Sequence, residues 1–226
     1  GEVDMWILLG WIAAASASWD AQECSTLAQL QIAPPHQAFD EPGLRVNGKG
    51  QRDAFNEVFS NEYKTTNFII KWGGTQTFTP TEIENLANSF EKAWAIEIDD
   101  MGHEAPTGTT QYLFNVYIGN TGENAPDIYG AAGYFTLDPQ GWPMVVMEPE
   151  VVRMPEYASK VSAHEWYHAL QYQTQSFEYS GQDAWFWEAS ANWAAAQVHP
   201  EYIHYLSSFF AAHLLFPHYP ADFFDY

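Results

Sequence analysis

The sequence is poor in cysteine and in basic residues, and each shortage argues against a class of function. Cys24 is the single cysteine among 226 residues, so the chain can form neither an intrachain disulfide nor a thiolate metal cluster. Only 8 Lys and Arg residues stand against 29 Asp and Glu residues, which gives a net charge of −21 at pH 7. Phosphate recognition needs a basic face, so nucleic acid and anionic membrane surfaces are disfavoured as partners. Any metal site must use histidine, carboxylate or backbone oxygen ligands.

Apolar side chains are plentiful by contrast. Aromatic residues make up 17% of the chain and hydrophobic residues 46%. This supplies enough apolar surface for a packed core, which argues against chain-wide disorder despite the acidity. The length favours one domain of catalytic size with an N-terminal extension.

An apolar run near the N-terminus predicts a secretory signal. Residues 5–14 are apolar, and Ala15–Ala17 has the small-residue pattern of a signal-peptidase site. No basic residue precedes the run, which leaves a buried apolar helix or strand as an alternative. The run is shorter than the ~20 apolar residues of a membrane-spanning helix, so no membrane anchor is expected. We therefore expect a secreted protein with a signal or apolar segment at residues 1–17.

Proline and glycine separate a lead-in from a regular domain. Residues 18–60 contain Pro34–Pro35 and Pro42–Gly43 without a sustained period, which predicts a lead-in or linker that could also serve as a pro-segment. We assign residues 61–226 to the domain that follows. Because the chain begins with Gly1 rather than methionine, we also consider that it is a fragment and that this domain continues beyond it.

The hydrophobic pattern in residues 61–226 predicts an α+β fold with a mixed sheet. Tyr134–Leu137 and Met144–Met147 form a hairpin with a six-residue loop, Asp138–Pro143. The other predicted strands are Asn67–Trp72 and Gln111–Ile118, and the predicted helices are 80–94, 155–173 and a third that begins after an Asp183 N-cap and stops before Pro200.

The first predicted helix carries clear start signals. Thr79 can cap it, Pro80 occupies the first helical position, and Glu82 completes a capping box. One apolar face at helical spacing follows, which consists of Ile83, Leu86, Ala87, Phe90 and Trp94.

The second predicted helix carries the motif with the strongest chemical content, H-E-x-x-H. His164 and His168 are four residues apart, so both imidazoles lie on one helical face and can bind the same metal ion. Neutral imidazole is a good ligand for Zn²⁺. Glu165 is about 100° further round the helix, where it can take a proton from a water that the metal activates. We therefore predict a zinc site with Glu165 as general base.

The third predicted helix supplies candidates for the rest of the site. A catalytic zinc usually has three protein ligands, and Glu188 follows His168 by 20 residues, enough for an antiparallel helix to bring it back. Asn192 lies one turn beyond Glu188 and could accept a hydrogen bond from a ligating histidine, which would fix its tautomer. The alternatives are a helix-terminal acid at Glu188 and a solvent-facing residue at Asn192.

These motifs resemble those of the gluzincins, the thermolysin-like zinc metallopeptidases. The resemblance rests on His164–His168 and on Glu-Ala-Ser-Ala-Asn at 188–192, where Asn192 replaces the usual aspartate. Residues 65–200 are also similar to an uncharacterised group of secreted microbial proteins regarded as peptidases. The likeness implies a zincin-like fold, with an active-site helix followed by a glutamate-bearing helix, and a peptide or protein as substrate. It also implies His164, His168 and Glu188 as zinc ligands, Glu165 as base, and a substrate that pairs with the edge strand of the predicted hairpin.

Two other functions remain open at this point. The first is a non-catalytic secreted binding or adhesion module that keeps the zincin fold, because no oxyanion-stabilising motif matches the family. The second is a zinc hydrolase of non-peptide amide bonds, which would share the site and differ in the shape of its pocket.

The remaining aromatic residues and histidines have plainer interpretations. Large aromatic side chains at helical spacing usually pack in a core, and we expect this of Trp166, Trp185, Trp187 and Trp193. His103-Glu104 is expected in a loop, and His36 and His199 on the surface.

Overall fold

The computed structural model describes residues 49–52, 59–174 and 184–206. The predicted signal segment, His36 and Asp183 lie outside these residues. The described part has the predicted α+β composition, with one mixed sheet packed against helices. The predicted fold class is therefore confirmed at this level.

The sheet has five strands, and its two edge strands are antiparallel to the three central strands. Strands β2, β3 and β5 are mutually parallel in the middle, while β1 pairs antiparallel with β2 and β4 antiparallel with β5. The spatial order is β1-β2-β3-β5-β4. The strands are β1 (Asn61–Lys64), β2 (Phe68–Trp72), β3 (Phe114–Ile118), β4 (Gly133–Leu137) and β5 (Pro143–Met147). The hairpin prediction is confirmed, and its first strand, β4, is an edge strand of the described sheet.

Both faces of the central strands are buried, as is usual for parallel strands covered on two sides. Side chains alternate along β3, so Val116 and Ile118 face the helices while Tyr117 faces the opposite layer. Phe59 packs on Tyr117 in that layer, with ring centroids 5.4 Å apart. The main core lies between the sheet and the helices.

Helix α1 (Pro80–Ala93) begins where predicted, but helical structure continues further along the chain than expected. The Thr79 side chain accepts a hydrogen bond from the Glu82 backbone, and the Glu82 side chain accepts one from the Thr79 backbone, so the capping box is confirmed. The chain then continues as a π-helix, Trp94–Asp100, that the sequence pattern did not predict. Trp94, Ile96 and Ile98 of this π-helix are partly buried and pack against the core.

Three helices follow the sheet. Helix α2 (Pro149–Val152) is short, α3 (Pro155–Thr174) carries the H-E-x-x-H motif, and α4 (Ala184–Val198) carries Glu188. The last two agree with prediction, and a 3₁₀-helix, Pro200–Leu206, begins where α4 was expected to stop. Helix α3 packs against α1, α4 and strand β4, so most of its circumference is buried.

No helix in the described residues is long and apolar enough to cross a membrane.

Part of the predicted lead-in packs on the sheet. Gly50 forms a parallel bridge with Tyr112, and Arg52 makes a buried ion pair with Asp138 at 2.9 Å. The Arg52 guanidinium also lies 4.6 Å from the ring centre of Trp142. These contacts hold the β4–β5 loop, which is one residue shorter than predicted because Pro143 already belongs to β5.

Two predictions about burial were wrong. His199 is only 6% exposed rather than on the surface, because α4 ends by directing it towards Ser89 of α1. Trp193 is 53% exposed rather than packed, because it lies on the side of α4 away from α3. Trp166 and Trp187 are buried as predicted, and Trp185 is half-buried.

Candidate metal centre

Helices α3 and α4 bring three potential metal ligands together. His164 and His168 lie one turn apart on α3, and their Nε2 atoms are 3.1 Å from each other. Glu188 reaches across from α4, with its Oε2 atom 3.1 Å from His164 Nε2 and 3.6 Å from His168 Nε2. All three residues are at most 5% exposed. In the described residues they are the one group of three or more His, Cys, Asp or Glu side chains whose ligand atoms converge in this way.

The spacing of these atoms fits a tetrahedral zinc ion. With metal–ligand bonds of about 2.0–2.1 Å, two ligands of a regular tetrahedron lie about 3.3–3.4 Å apart. The separations between the two Nε2 atoms and Glu188 Oε2 are 3.1, 3.1 and 3.6 Å, close to that value on average. Two imidazoles and one carboxylate are also the ligand types of a catalytic zinc site. The residues therefore fit the predicted metal in both spacing and chemistry.

Amide side chains fix the tautomers of both histidines. Gln171 Nε2 donates to the Trp187 carbonyl and to Ser190 Oγ, so Gln171 Oε1 is the atom that faces His168 Nδ1, at 2.6 Å. An amide oxygen only accepts, so His168 Nδ1 carries the proton and donates it. Asn192 Oδ1 lies 3.1 Å from His164 Nδ1 and acts in the same way.

This tautomer leaves the Nε2 lone pairs of both neutral rings directed at the same point. Two lone pairs and a carboxylate oxygen at these distances repel one another unless a proton or a metal cation lies among them. The second carboxylate oxygen, Glu188 Oε1, is buried without a hydrogen-bond partner. A buried carboxylate left in this condition is costly, and a bound cation would offset that cost.

Without a metal, the electrostatics of the three groups favour a proton in the space between them. Burial lowers the pKa of His164, and the Glu188 carboxylate offsets the effect only in part. Burial also acts to lower the pKa of His168, but Glu188 and Glu165 outweigh it and raise that pKa. Burial would raise the pKa of Glu188, yet the two histidines hold it well below its usual range. Glu188 therefore stays ionised and supplies the negative charge of the cluster.

Gln171 is the site residue that the sequence interpretation missed. It lies three residues after His168 on α3, so the helix brings its side chain back towards the imidazole. That i, i+3 spacing was the available indication of its role. Through its contacts with Trp187 and Ser190, Gln171 also joins the two helices that carry the candidate ligands. Trp187 adds a stacked ring 5.1 Å from that of His168, which covers one face of the imidazole.

Glu165 lies beside the edge strand. A Cβ atom built on Gly133 of β4 would be 3.2 Å from Glu165 Cγ, so the strand backbone and this side chain are in close contact. Glu165 itself is fully buried. Helix α3 thus directs the two histidines towards α4 and the glutamate between them in sequence towards β4.

The other histidines of the described residues lie elsewhere. His103 is in a loop, as predicted, and meets the ring of Tyr167 edge-on at 5.3 Å. His199 contacts Ser89, Lys92 and Glu201. His204 is exposed on the 3₁₀-helix, and none of the three belongs to the cluster of His164, His168 and Glu188.

Comparison with curated proteins and with solved structures found no match. A family model does match, and it covers residues 25–219, most of the chain and both helices of the candidate centre. The protein belongs to this family, DUF6055, a family of unknown function.

Proposed function

We propose that the protein is a secreted zinc-dependent peptidase of the gluzincin type, with a zincin-like fold. The observation that carries the proposal is the convergence of His164 Nε2, His168 Nε2 and Glu188 Oε2, with Glu165 on the same helix. A structural zinc usually has four protein ligands, whereas a catalytic zinc keeps one position open. The described residues supply three ligands. Secretion rests on the N-terminal sequence pattern alone.

In this proposal the side chains have three different roles. His164, His168 and Glu188 hold the metal, while Gln171 and Asn192 hold the two histidines in the tautomer that can bind it. A zinc ion held there would lower the pKa of a water molecule and polarise a peptide carbonyl. Glu165 would accept a proton from the attacking water and later give one to the leaving amine.

The substrate class follows from strand β4. Its outer edge is not paired with any described strand, and it runs beside the helix that carries Glu165. An extended peptide can add to such an edge through backbone hydrogen bonds once the edge is uncovered, because residues 133–136 are buried in this structure. The predicted hairpin would thus hold a peptide substrate beside the proposed general base.

The decisive experiment separates metal binding from turnover. We expect the purified protein to retain one zinc per chain by mass spectrometry after dialysis against trace zinc, and to cleave members of a broad peptide library. Glu165→Gln removes the base but none of the ligands, so it should keep zinc while kcat falls roughly 10²–10⁴-fold. Retained cleavage in Glu165→Gln would remove Glu165 from the mechanism, and absence of zinc in the wild type would refute the proposal.

A binding module with the same fold is the second candidate. Three large apolar side chains of α4 and the 3₁₀-helix are exposed, namely Phe186 at 43%, Trp193 at 53% and Ile203 at 49%. Exposed aromatic residues often serve partner contact. Bound zinc without cleavage of any library peptide would favour this candidate over the peptidase.

A further inference from the structure

Gly133 is a glycine whose backbone does not require one. Five other glycines, at 102, 108, 122, 130 and 141, have positive φ angles that favour glycine, but Gly133 does not. It belongs to β4, where it pairs with Met147 of β5. Glycine within a strand weakens it, and its presence often marks a place where another group approaches closely. The reason for glycine at position 133 is therefore to be sought in its surroundings.

Space around Gly133 is limited by the helix of the candidate centre. A Cβ atom at this position would lie 2.9 Å from Val161 Cγ1 and 3.2 Å from Glu165 Cγ, both on α3. It would also lie 3.2 Å from the carbonyl oxygen of Val146 in the neighbouring strand. Val161 and Glu165 are one helical turn apart and face β4 together. A methyl group at position 133 would thus press on the part of α3 that carries Glu165.

We propose that Gly133 is a positioning residue, and that the absence of a side chain there sets where the Glu165 carboxylate lies. The inference rests on the proposed peptidase function for its catalytic consequence. The nearest atoms that a Cβ at position 133 would meet belong to Val161, Glu165 and Val146 and not to a metal ligand, so we expect a change there to act first on the base. A shift of about 1 Å in a catalytic group can lower a rate about 100-fold.

The main test is Gly133→Ala. We expect zinc content to stay at one per chain and KM for a library-selected fluorogenic peptide to change less than about threefold, while kcat falls roughly 10–100-fold. Gly74→Ala is the matched control, because its Cβ would meet only the carboxylate of Glu123, at 3.2 Å, and the Ser60 side chain, in a loop remote from the base. That variant should keep both zinc and kcat. An unchanged kcat in Gly133→Ala would overturn the proposal.

A compensating substitution separates positioning from general loss of stability. Val161→Ala removes the atom nearest to the added methyl, so Gly133→Ala/Val161→Ala should recover most of the lost kcat even though a core valine has been truncated. A structural role alone would lower zinc content and kcat together in Gly133→Ala, because unfolded chains lose both. Should Gly133→Ala fail to fold, the double variant still reports whether position 133 can carry a methyl group beside Glu165.

A crystal structure of Gly133→Ala decides the point without any activity. Displacement of the Glu165 carboxylate by about 1 Å or more, with His164, His168 and Glu188 unmoved, would support the proposal; an unmoved Glu165 would refute it. If the wild type binds zinc and cleaves nothing, the proposed function fails, and this structural measurement still tests the role of Gly133.

Discussion

Two buried polar networks involve helix α3, and they satisfy their histidines in different ways. Between α3 and α4, two imidazoles and a carboxylate direct lone pairs at one another. Between α1, α3 and the 3₁₀-helix, His199 Nε2 lies 2.9 Å from Ser89 Oγ, which accepts a hydrogen bond from Ser162 Oγ at 2.7 Å. A hydroxyl group both donates and accepts, so it can pair with either tautomer of His199. Burial of a histidine is thus a poor guide to a metal site, whereas convergence of acceptor atoms is a good one.

The charged groups beside the histidines also differ between the two networks. Lys92 Nζ lies 3.4 Å from His199 Nδ1, and Glu201 beside it is 48% exposed at its side chain. A lysine at that distance repels a metal cation. At His199 the Glu201 carboxylate, at 3.2 Å, is exposed and also pairs with Lys92, whereas the Glu188 carboxylate at the candidate centre is buried and faces both histidines. Three measurements test this difference between the two networks.

The largest expected effect is on zinc affinity when one histidine from each network is removed. His168→Ala deletes a proposed ligand and should lower zinc affinity more than about 100-fold. Protein ligands together bind a structural zinc ion with about 10–16 kcal/mol, so the loss of one ligand removes a large part of the binding free energy. His199→Ala should leave zinc affinity unchanged within about twofold. Competition titration with a chromophoric chelator measures both. Equal losses in the two variants would mean that the contrast reflects folding rather than metal binding.

A smaller effect is expected from the amide that holds His168. Gln171→Met removes the acceptor of the His168 Nδ1 proton and the hydrogen bonds to α4, and should weaken zinc binding about 10–100-fold. Gln173→Met on the same helix is the control, since Gln173 contacts the backbone and side chain of Thr107 instead. The same chelator titration serves both variants, and matching affinities for Gln171→Met and wild type would show that the tautomer is held by other groups.

The smallest expected effect is a change in the pH dependence of stability at His199. Burial lowers the pKa of His199 below the usual histidine pKa of about 6.5, and Glu201 offsets this only in part. The unfolded chain then binds the proton more readily, so this contribution to the free energy of unfolding is present above pH 6.5 and is lost as pH falls through the folded pKa. Metal-free wild type should lose more melting temperature between pH 7 and pH 5 than metal-free His199→Gln. A steeper loss in the variant would reverse the sign and contradict the assignment.

Local patterns predicted the parts of this fold that depend on neighbours in sequence. Thr79, Pro80 and Glu82 form the expected capping box, since those contacts lie within one helical turn. The start of α3 and the end of α4 before Pro200 follow from the same kind of rule. The π-helix and the burial of His199 were missed, because they depend on packing against elements that are distant along the chain.

The same distinction between local and long-range contacts applies to the candidate centre. The spacing of His164 and His168 places both on one face of α3 whatever the rest of the protein does, because helical geometry is local. The role of Gln171 in holding His168 depends on α4, because the Trp187 carbonyl and the Ser190 hydroxyl of that helix orient the Gln171 amide. A surface position was the alternative for Asn192, and only the approach of α4 to α3 places it 3.1 Å from His164.

Composition and short-range periodicity sufficed to predict the acidic and cysteine-poor chemistry, the α+β class and the helical pairing of two histidines, because none of these depends on long-range contacts. Long-range packing places Glu188 within 3.1 Å of His164, makes β4 an edge of the described sheet beside Glu165, and leaves no room for a side chain at position 133. Each of these distances joins residues more than 20 positions apart, and only the packing of α3 against α4 and the sheet sets them.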